Sequence, residues 1–237
     1  MMRRMRRIMM EQFRIAIDGA SKGNGTLECC AAAAIYAIGF VDGEEVVSTI
    51  KTSCEAEASS NQRAEILGLI RALKFLVVNE CDEAQIITDS AYVFNAATQR
   101  WFDRWEHNGW HTANGDPVAN KDLWRLVMNI IDTVKCEVSY YHVKGHVLSI
   151  GAVTASILVK QDKSGHAFYK YAQLKYDRDE TKPVMAKRIT HALEVSDEIN
   201  GPGLFSVCPE LLRTFCCMNS VVDNFAKHAV EEMSRKK

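Results

Sequence analysis

No apolar run in this 237-residue chain reaches the length of a membrane span, which leaves a non-membrane protein as the expectation, with the cytoplasm its expected compartment. The eight cysteines include no CxxC spacing. They fall as Cys29-Cys30, Cys216-Cys217 and four singles, mostly within apolar segments, and so read as reduced buried thiols rather than zinc ligands or disulfides. Net charge is also lacking, at −1. Nothing global marks a nucleic-acid binder, and any basic surface must be local. There is neither an internal repeat nor a low-complexity tract. What remains is 47% hydrophobic and 25% charged residues, the balance of a globular protein large enough for one domain or one domain with an insertion.

The opening "MMRRMRRIMM" carries four arginines but is too short and too weakly amphipathic for a transit peptide. Residues 1–11 read as a disordered basic tail, with Met9 or Met10 as an alternative start. Beyond it, "FRIAIDGA" alternates, with Phe13, Ile15 and Ile17 on one face and Ala16 and Asp18 on the other, and predicts a strand ending near Asp18. "AAAAIYAIGF" and "EEVVSTIK" follow, joined through Asp42-Gly43, a strong hairpin signal. A helix comes next, then a short strand "AQIITD" ending at Asp89. A strand, helix and strand in this order favour a right-handed crossover with the two strands parallel. Two short helical pieces over 91–107, a helix with Leu123, Val127, Ile130 and Val134 inward, and a fifth strand "CEVSYYHV" complete the regular part. The pattern is irregular from Val147 and turns helical again towards the C-terminus.

One helix poses a chemical question. In "SSNQRAEILGLIRAL" the row Leu76, Ala72, Leu69 leads back to Glu65, so a carboxylate lies in line with an apolar face. That is costly unless positive charge meets it. If the crossover sets the Asp18 and Asp89 strands side by side, both aspartates reach the carboxyl edge where open α/β sheets bind ligands. Glu65 can reach the same place. Three carboxylates in one pocket repel each other, and Mg²⁺, a hard ion that takes oxygen ligands, resolves the repulsion. Taken singly, each residue has a plain structural reading: an Asp at a strand end is usually a turn former, and Asp89-Ser90 could cap the next helix.

The segments "IDGASKGNG", "SSNQRAEI", "TDSAYVFNA", "HNGWHTANGDPVANKDLW" and "HVKGH" occur in the order of type 1 ribonuclease H, and together the chain resembles that family over most of 13–146. The resemblance implies an α/β fold, a five-stranded mixed sheet flanked by helices. It implies an endonuclease that cleaves the RNA strand of RNA/DNA hybrids with two Mg²⁺ ions (Mn²⁺ as a substitute), leaving 5′-phosphate and 3′-hydroxyl ends. It assigns Asp18, Glu65 and Asp89 as catalytic metal ligands and His146, in a mobile loop, to proton transfer or product release. The family's fourth carboxylate is missing a few residues after "KGH". The Asn-x-x-x-Asp-x-x-Ala pattern reappears only in "MNSVVDNFAKHAV", as Asn219, Asp223 and Ala226. Asp223 is therefore expected as the fourth ligand, ahead of Asp162, Asp177 and Asp179, which lie in charged, surface-like context. Residues 12–146 and 209–237 then form the ribonuclease H-like domain, and 147–208 an insertion of unknown fold.

By the same resemblance Asn24, Asn61 and Gln62 match positions that meet the RNA strand near its 2′-hydroxyls, Asn219 is carried over as a substrate contact, and Trp101, Trp105 and Trp110 match a DNA-gripping protrusion. For Trp105 and Trp110, packing is the better reading. The protrusion is nearly neutral, with Arg100, Arg104, Lys121 and Arg125 offset by Asp103, Glu106, Asp116 and Asp122. Residues 160–188 carry eight Lys/Arg against four Asp/Glu, interleaved with Phe168, Tyr169, Tyr171 and Tyr176. That mixture suits nucleic-acid or protein contact through the insertion, and equally a small solvated subdomain with its own core. A monomer is expected. The rival readings are a non-catalytic hybrid-binding module and a DNA-acting nuclease of the same fold.

Overall fold

The structure, a computed structural model, describes residues 10–24, 29–55, 59–145, 153–161, 167–176 and 209–235. Strand β1 (Met10–Lys22) pairs antiparallel with β2 (Cys30–Val41), and β2 pairs antiparallel with β3 (Glu44–Glu55). Asp42 and Gly43 both take positive φ between β2 and β3, the conformation the hairpin signal requires. Helix α1 (Asn61–Val78) then crosses to β4 (Cys81–Thr88), which lies parallel to β1 from Met10↔Cys81 to Ala16↔Ile87. Helices α2 (Ala91–Thr98), α3 (Trp101–His107) and α4 (Lys121–Ile131) precede β5 (Glu137–His142), parallel to β4. The five expected strands are present in the order β5-β4-β1-β2-β3.

The sheet is longer than expected. Between residues 147 and 208, β6 (Val153–Gln161) and β7 (Ala167–Tyr176) form an antiparallel hairpin, and β7 joins β3 at Ile50↔Tyr169, giving seven strands. The helical pattern expected over 181–200 lies outside the described residues. Helix α5 (Pro209–Arg235) closes the chain.

Two cores sandwich the sheet. Phe13, Ile15 and Ile17 face α1 and the α2–α4 side, whereas Ala16 and Ala20 face α5 through Phe215, Val222 and Ala226. The alternation read in "FRIAIDGA" thus separates the two layers. β1 departs from expectation at both ends. Met10 and Glu11 belong to the sheet rather than to the basic tail, and the strand continues past Asp18 to Lys22, because its antiparallel pairing with β2 runs on to Lys22↔Cys30.

α1 lies close on β1. A Cβ added at Gly19 would stand 2.5 Å from the Glu65 backbone nitrogen and 2.6 Å from the Ala64 carbonyl carbon. Backbone atoms cannot swing aside as a side-chain tip can. Gly19→Ala is expected to destabilise by about 3 kcal/mol or more, read as a lower urea midpoint, and to shift the first turn of α1. Ser60 caps that turn, its Oγ accepting from the Arg63 N–H at 3.2 Å.

Candidate active site

Three elements converge at one edge of the sheet. The β1–β4 register ends at Ala16↔Ile87, and two residues further along each chain stand Asp18 and Asp89. The close approach of α1 at Gly19 brings Glu65 over the same edge. The three carboxylates each offer an oxygen, and these oxygens lie within 4.8 Å of one another. Asp89 does not cap α2; Ser90 does, its Oγ accepting from the Val93 N–H at 3.4 Å, so the aspartate is left to the cluster.

Asp18 and Glu65 are buried, at 4% and 7% exposure. Burial pushes the Asp18 carboxyl well above its ordinary range, and the charges of Glu65, Asp89 and Asp223 push it further, against one bond from the Gly19 N–H at 2.7 Å. Glu65 is raised likewise, first by burial and then by Asp89, with Asp223 adding a smaller push. Its Oε1 accepts from Asn61 Nδ2 at 3.4 Å, while its Oε2 is buried with no hydrogen-bond partner. A buried carboxylate oxygen without a partner, in a cluster of three carboxylates, is the environment a hard cation completes. The donor set, all oxygen, fits Mg²⁺ or Mn²⁺.

Asp223 lies on α5, 4% exposed, close enough to raise both Asp18 and Glu65. Its Oδ2 is bound by Lys227 Nζ at 2.7 Å, and it stands outside the set of three ligand oxygens. Asn219, one turn before it, is 2% exposed and donates from Nδ2 to Asp89 Oδ2 at 3.2 Å. Asn219 thus links α5 to Asp89 from a buried position. His142 supports the same residue from β5, its Nε2 lying 3.0 Å from the Asp89 carbonyl oxygen. Neither role was legible in the sequence, since each depends on which element packs behind Asp89. Gly145 also presses on Asp89, where a Cβ would collide with the carboxylate. His146, Asp162, Asp177 and Asp179 lie outside the described residues.

Asn24, Asn61 and Gln62 are exposed at the rim, where the Asn61 N–H donates to Asn24 Oδ1 at 3.3 Å. Trp101 is half-buried, and its indole N–H donates to Gln99 Oε1 at 3.0 Å. Trp105 packs on Trp101, Trp110 and Trp124, and Trp110 is buried, so packing describes both Trp105 and Trp110. Trp124, fully buried with its indole N–H on the Tyr92 hydroxyl at 2.8 Å, anchors the group, and the sequence did not single it out. Asp122 does not offset the protrusion's own cations. It makes a two-point contact with Arg63 of α1, at 2.9 and 2.8 Å, which holds its carboxyl below the usual range.

The RNase H family model matches residues 10–163. The chain belongs to the ribonuclease H family. A "Ribonuclease H" of Moorella thermoacetica is 36% identical over 137 residues, covering 58% of this chain and 82% of that protein. One from Clostridium botulinum is 34% identical over 137 residues, covering 58% and 85%. Among solved structures, the crystal structure of LC9-RNase H1, "a type 1 RNase H with the type 2 active-site motif", shares the fold with a TM-score of 0.50 at 22% identity, covering 59% of this chain and 66% of that one. As a member of this family the protein is a ribonuclease, and the family is metal-dependent. The match includes the strands and helices that carry Asp18, Glu65 and Asp89, and ends before α5. Among the described residues no helix is long and apolar enough to cross a membrane.

Proposed function

We propose that the protein hydrolyses the RNA strand of RNA/DNA hybrids as an endonuclease, with two Mg²⁺ ions as cofactors. The observation that carries this reading is the meeting of Asp18, Glu65 and Asp89, from three separate elements, with oxygens within 4.8 Å. When bound, two such ions supply activation of the attacking water and stabilisation of the leaving 3′-oxygen. The chain's own residues do the rest. Asp18, Glu65 and Asp89 hold the ions, with Asp223 as the fourth carboxylate. Asn219 positions Asp89. Asn24, Asn61 and Gln62, exposed beside the site, meet the RNA backbone where the 2′-hydroxyls distinguish RNA from DNA, and Trp101 meets the DNA strand. His146 serves proton transfer or product release.

The burial of Asp223 beside the other three carboxylates supports a catalytic protein over a hybrid-binding module. The product ends test the chemistry. RNA fragments from a labelled hybrid should carry 5′-phosphates and 3′-hydroxyls, so that a ligase joins them without prior kinase treatment. Fragments ending in 2′,3′-cyclic phosphate would mean that the RNA's own 2′-hydroxyl is the nucleophile, and the metal-held water would be wrong. His146→Ala should lower turnover in the same assay while Mg²⁺ binding persists.

A further inference from the structure

Helix α1 presents charge of one sign to solvent. Across Asn61–Val78 the single acid is Glu65, and it is buried in the carboxylate cluster. Arg63, Leu67, Arg71, Lys74 and Val78 recur at helical spacing and form one stripe that starts beside that cluster. Arg63 is neutralised by its two-point contact with Asp122. Arg71 and Lys74 are exposed, about 9 and 14 Å along the helix axis from Glu65. Strand β3 adds a third cation. The pairings Ile17↔Ile35 and Ile35↔Lys51 set Lys51 level with the residue before Asp18, two strands away and roughly 10 Å across the sheet. Its ammonium lies 5.1 Å from the centre of the Phe75 ring, one turn after Arg71, and so stands beside the stripe. Burial lowers the Lys51 pKa, and the charge of Arg71 lowers it further. Among the described residues none of Lys51, Arg71 and Lys74 has an ion-pair partner. In a chain of net charge −1, this is a local excess of positive charge.

On the reading of the chain as a hybrid nuclease, we propose that Lys51, Arg71 and Lys74 form a phosphate-binding face that takes the backbone of the hybrid beyond the catalytic centre. A nucleic-acid backbone fits because its phosphates recur about every 3.4 Å along each strand and meet cations spread over a face. Each phosphate neutralised releases condensed counterions, which gives affinity without regard to sequence. The tryptophan-bearing protrusion offers little of this, since its Arg100 is already paired with Asp103. The unpaired cations of α1 and β3 supply it.

The test compares full chains: wild type, Arg71→Gln/Lys74→Gln, Lys51→Gln, the charge-keeping Arg71→Lys/Lys74→Arg, and Lys135→Gln. Lys135 is an exposed cation just before β5, at the end of the strands away from Asp89. Affinity for a fluorescently labelled RNA/DNA hybrid is read by anisotropy in EDTA at several salt concentrations, and KM for cleavage is read in Mg²⁺. Arg71→Gln/Lys74→Gln should bind about tenfold more weakly at about 0.1 M salt. Its slope of log affinity against log salt should flatten by about one to two, the share of two phosphate contacts. KM should rise by a similar factor. Lys51→Gln should act in the same direction by a smaller step, and the charge-keeping variant should stay close to wild type. Wild-type affinity and slope in Arg71→Gln/Lys74→Gln, as a face serving an acidic protein would give, overturn the proposal. An equal loss per charge in Lys135→Gln overturns it too, since the effect would then be one of net charge alone. A wild-type protein that binds the hybrid but leaves it intact in Mg²⁺ refutes the nuclease reading instead, and the salt slopes still decide the phosphate-binding face.

Discussion

Asp18→Asn, Glu65→Gln and Asp89→Asn are each expected to give a folded protein whose cleavage rate falls roughly 10²–10³-fold or more, the scale set by loss of one preorganised electrostatic partner. In EDTA the Asp18 and Glu65 variants should melt above wild type. The sign follows from the direction of the shifts. The folded pKa values of Asp18 and Glu65 are raised above their ordinary 3.8 and 4.5, so the folded chain holds these protons more tightly than the unfolded chain. Stability of the metal-free protein is therefore lost as pH rises through the ordinary values toward the folded ones. An amide has no proton to lose and escapes that penalty. Asp89→Asn removes a charge that pushes up both neighbours and should act in the same direction. Thermal melts in EDTA at acid and neutral pH, beside cleavage assays in Mg²⁺, measure both halves. A folded Asp89→Asn protein with wild-type cleavage would show that the three carboxylates do not form one working site.

Asp223→Asn is expected to be nearly as damaging to cleavage, whereas Asp162→Asn and Asp177→Asn should stay close to wild type. Asp223 is buried on α5 and acts electrostatically on Asp18 and Glu65. The family match ends at residue 163, so α5 and its aspartate stand on the structure and on the Asn219, Asp223, Ala226 spacing alone. Asn219→Ala gives a graded companion. It keeps all four acids but removes the amide on Asp89 and should lower cleavage less than Asp223→Asn. The comparison is single-turnover cleavage of one hybrid by all four variants at saturating Mg²⁺. Wild-type rate in Asp223→Asn together with loss in Asp162→Asn would move the fourth carboxylate into the insertion.

Much of this arrangement was legible in the residues because the relevant patterns are local. Alternation in β1 sorted Ile15 and Ile17 from Ala16 and Asp18, and those two sets line opposite faces of the sheet. The helical row from Leu76 back to Glu65 foretold a buried acid, and Glu65 is 7% exposed. The order of strand, helix and strand predicted the parallel β1–β4 pair. What was not legible depends on partners distant in sequence. β1 runs to Lys22 because β2 has residues opposite it, which no pattern within β1 records. Asn219 was carried over as a substrate contact, and its bond to Asp89, 130 positions earlier in the chain, exists only because α5 packs there. The β6–β7 hairpin joins β3 through a pairing between segments more than a hundred residues apart, and the irregular pattern after Val147 did not announce it.

The central claim is metal-dependent cleavage of RNA paired to DNA, and one assay meets it directly. The purified chain is incubated with four end-labelled substrates of one sequence: an RNA/DNA hybrid, single-stranded RNA, duplex RNA and duplex DNA. Each is run in Mg²⁺ and in excess EDTA. The expected result is internal cleavage of the RNA strand of the hybrid in Mg²⁺, little action on the other three, and none in EDTA. Equal cleavage of duplex DNA, or undiminished cleavage of the hybrid in EDTA, would contradict it.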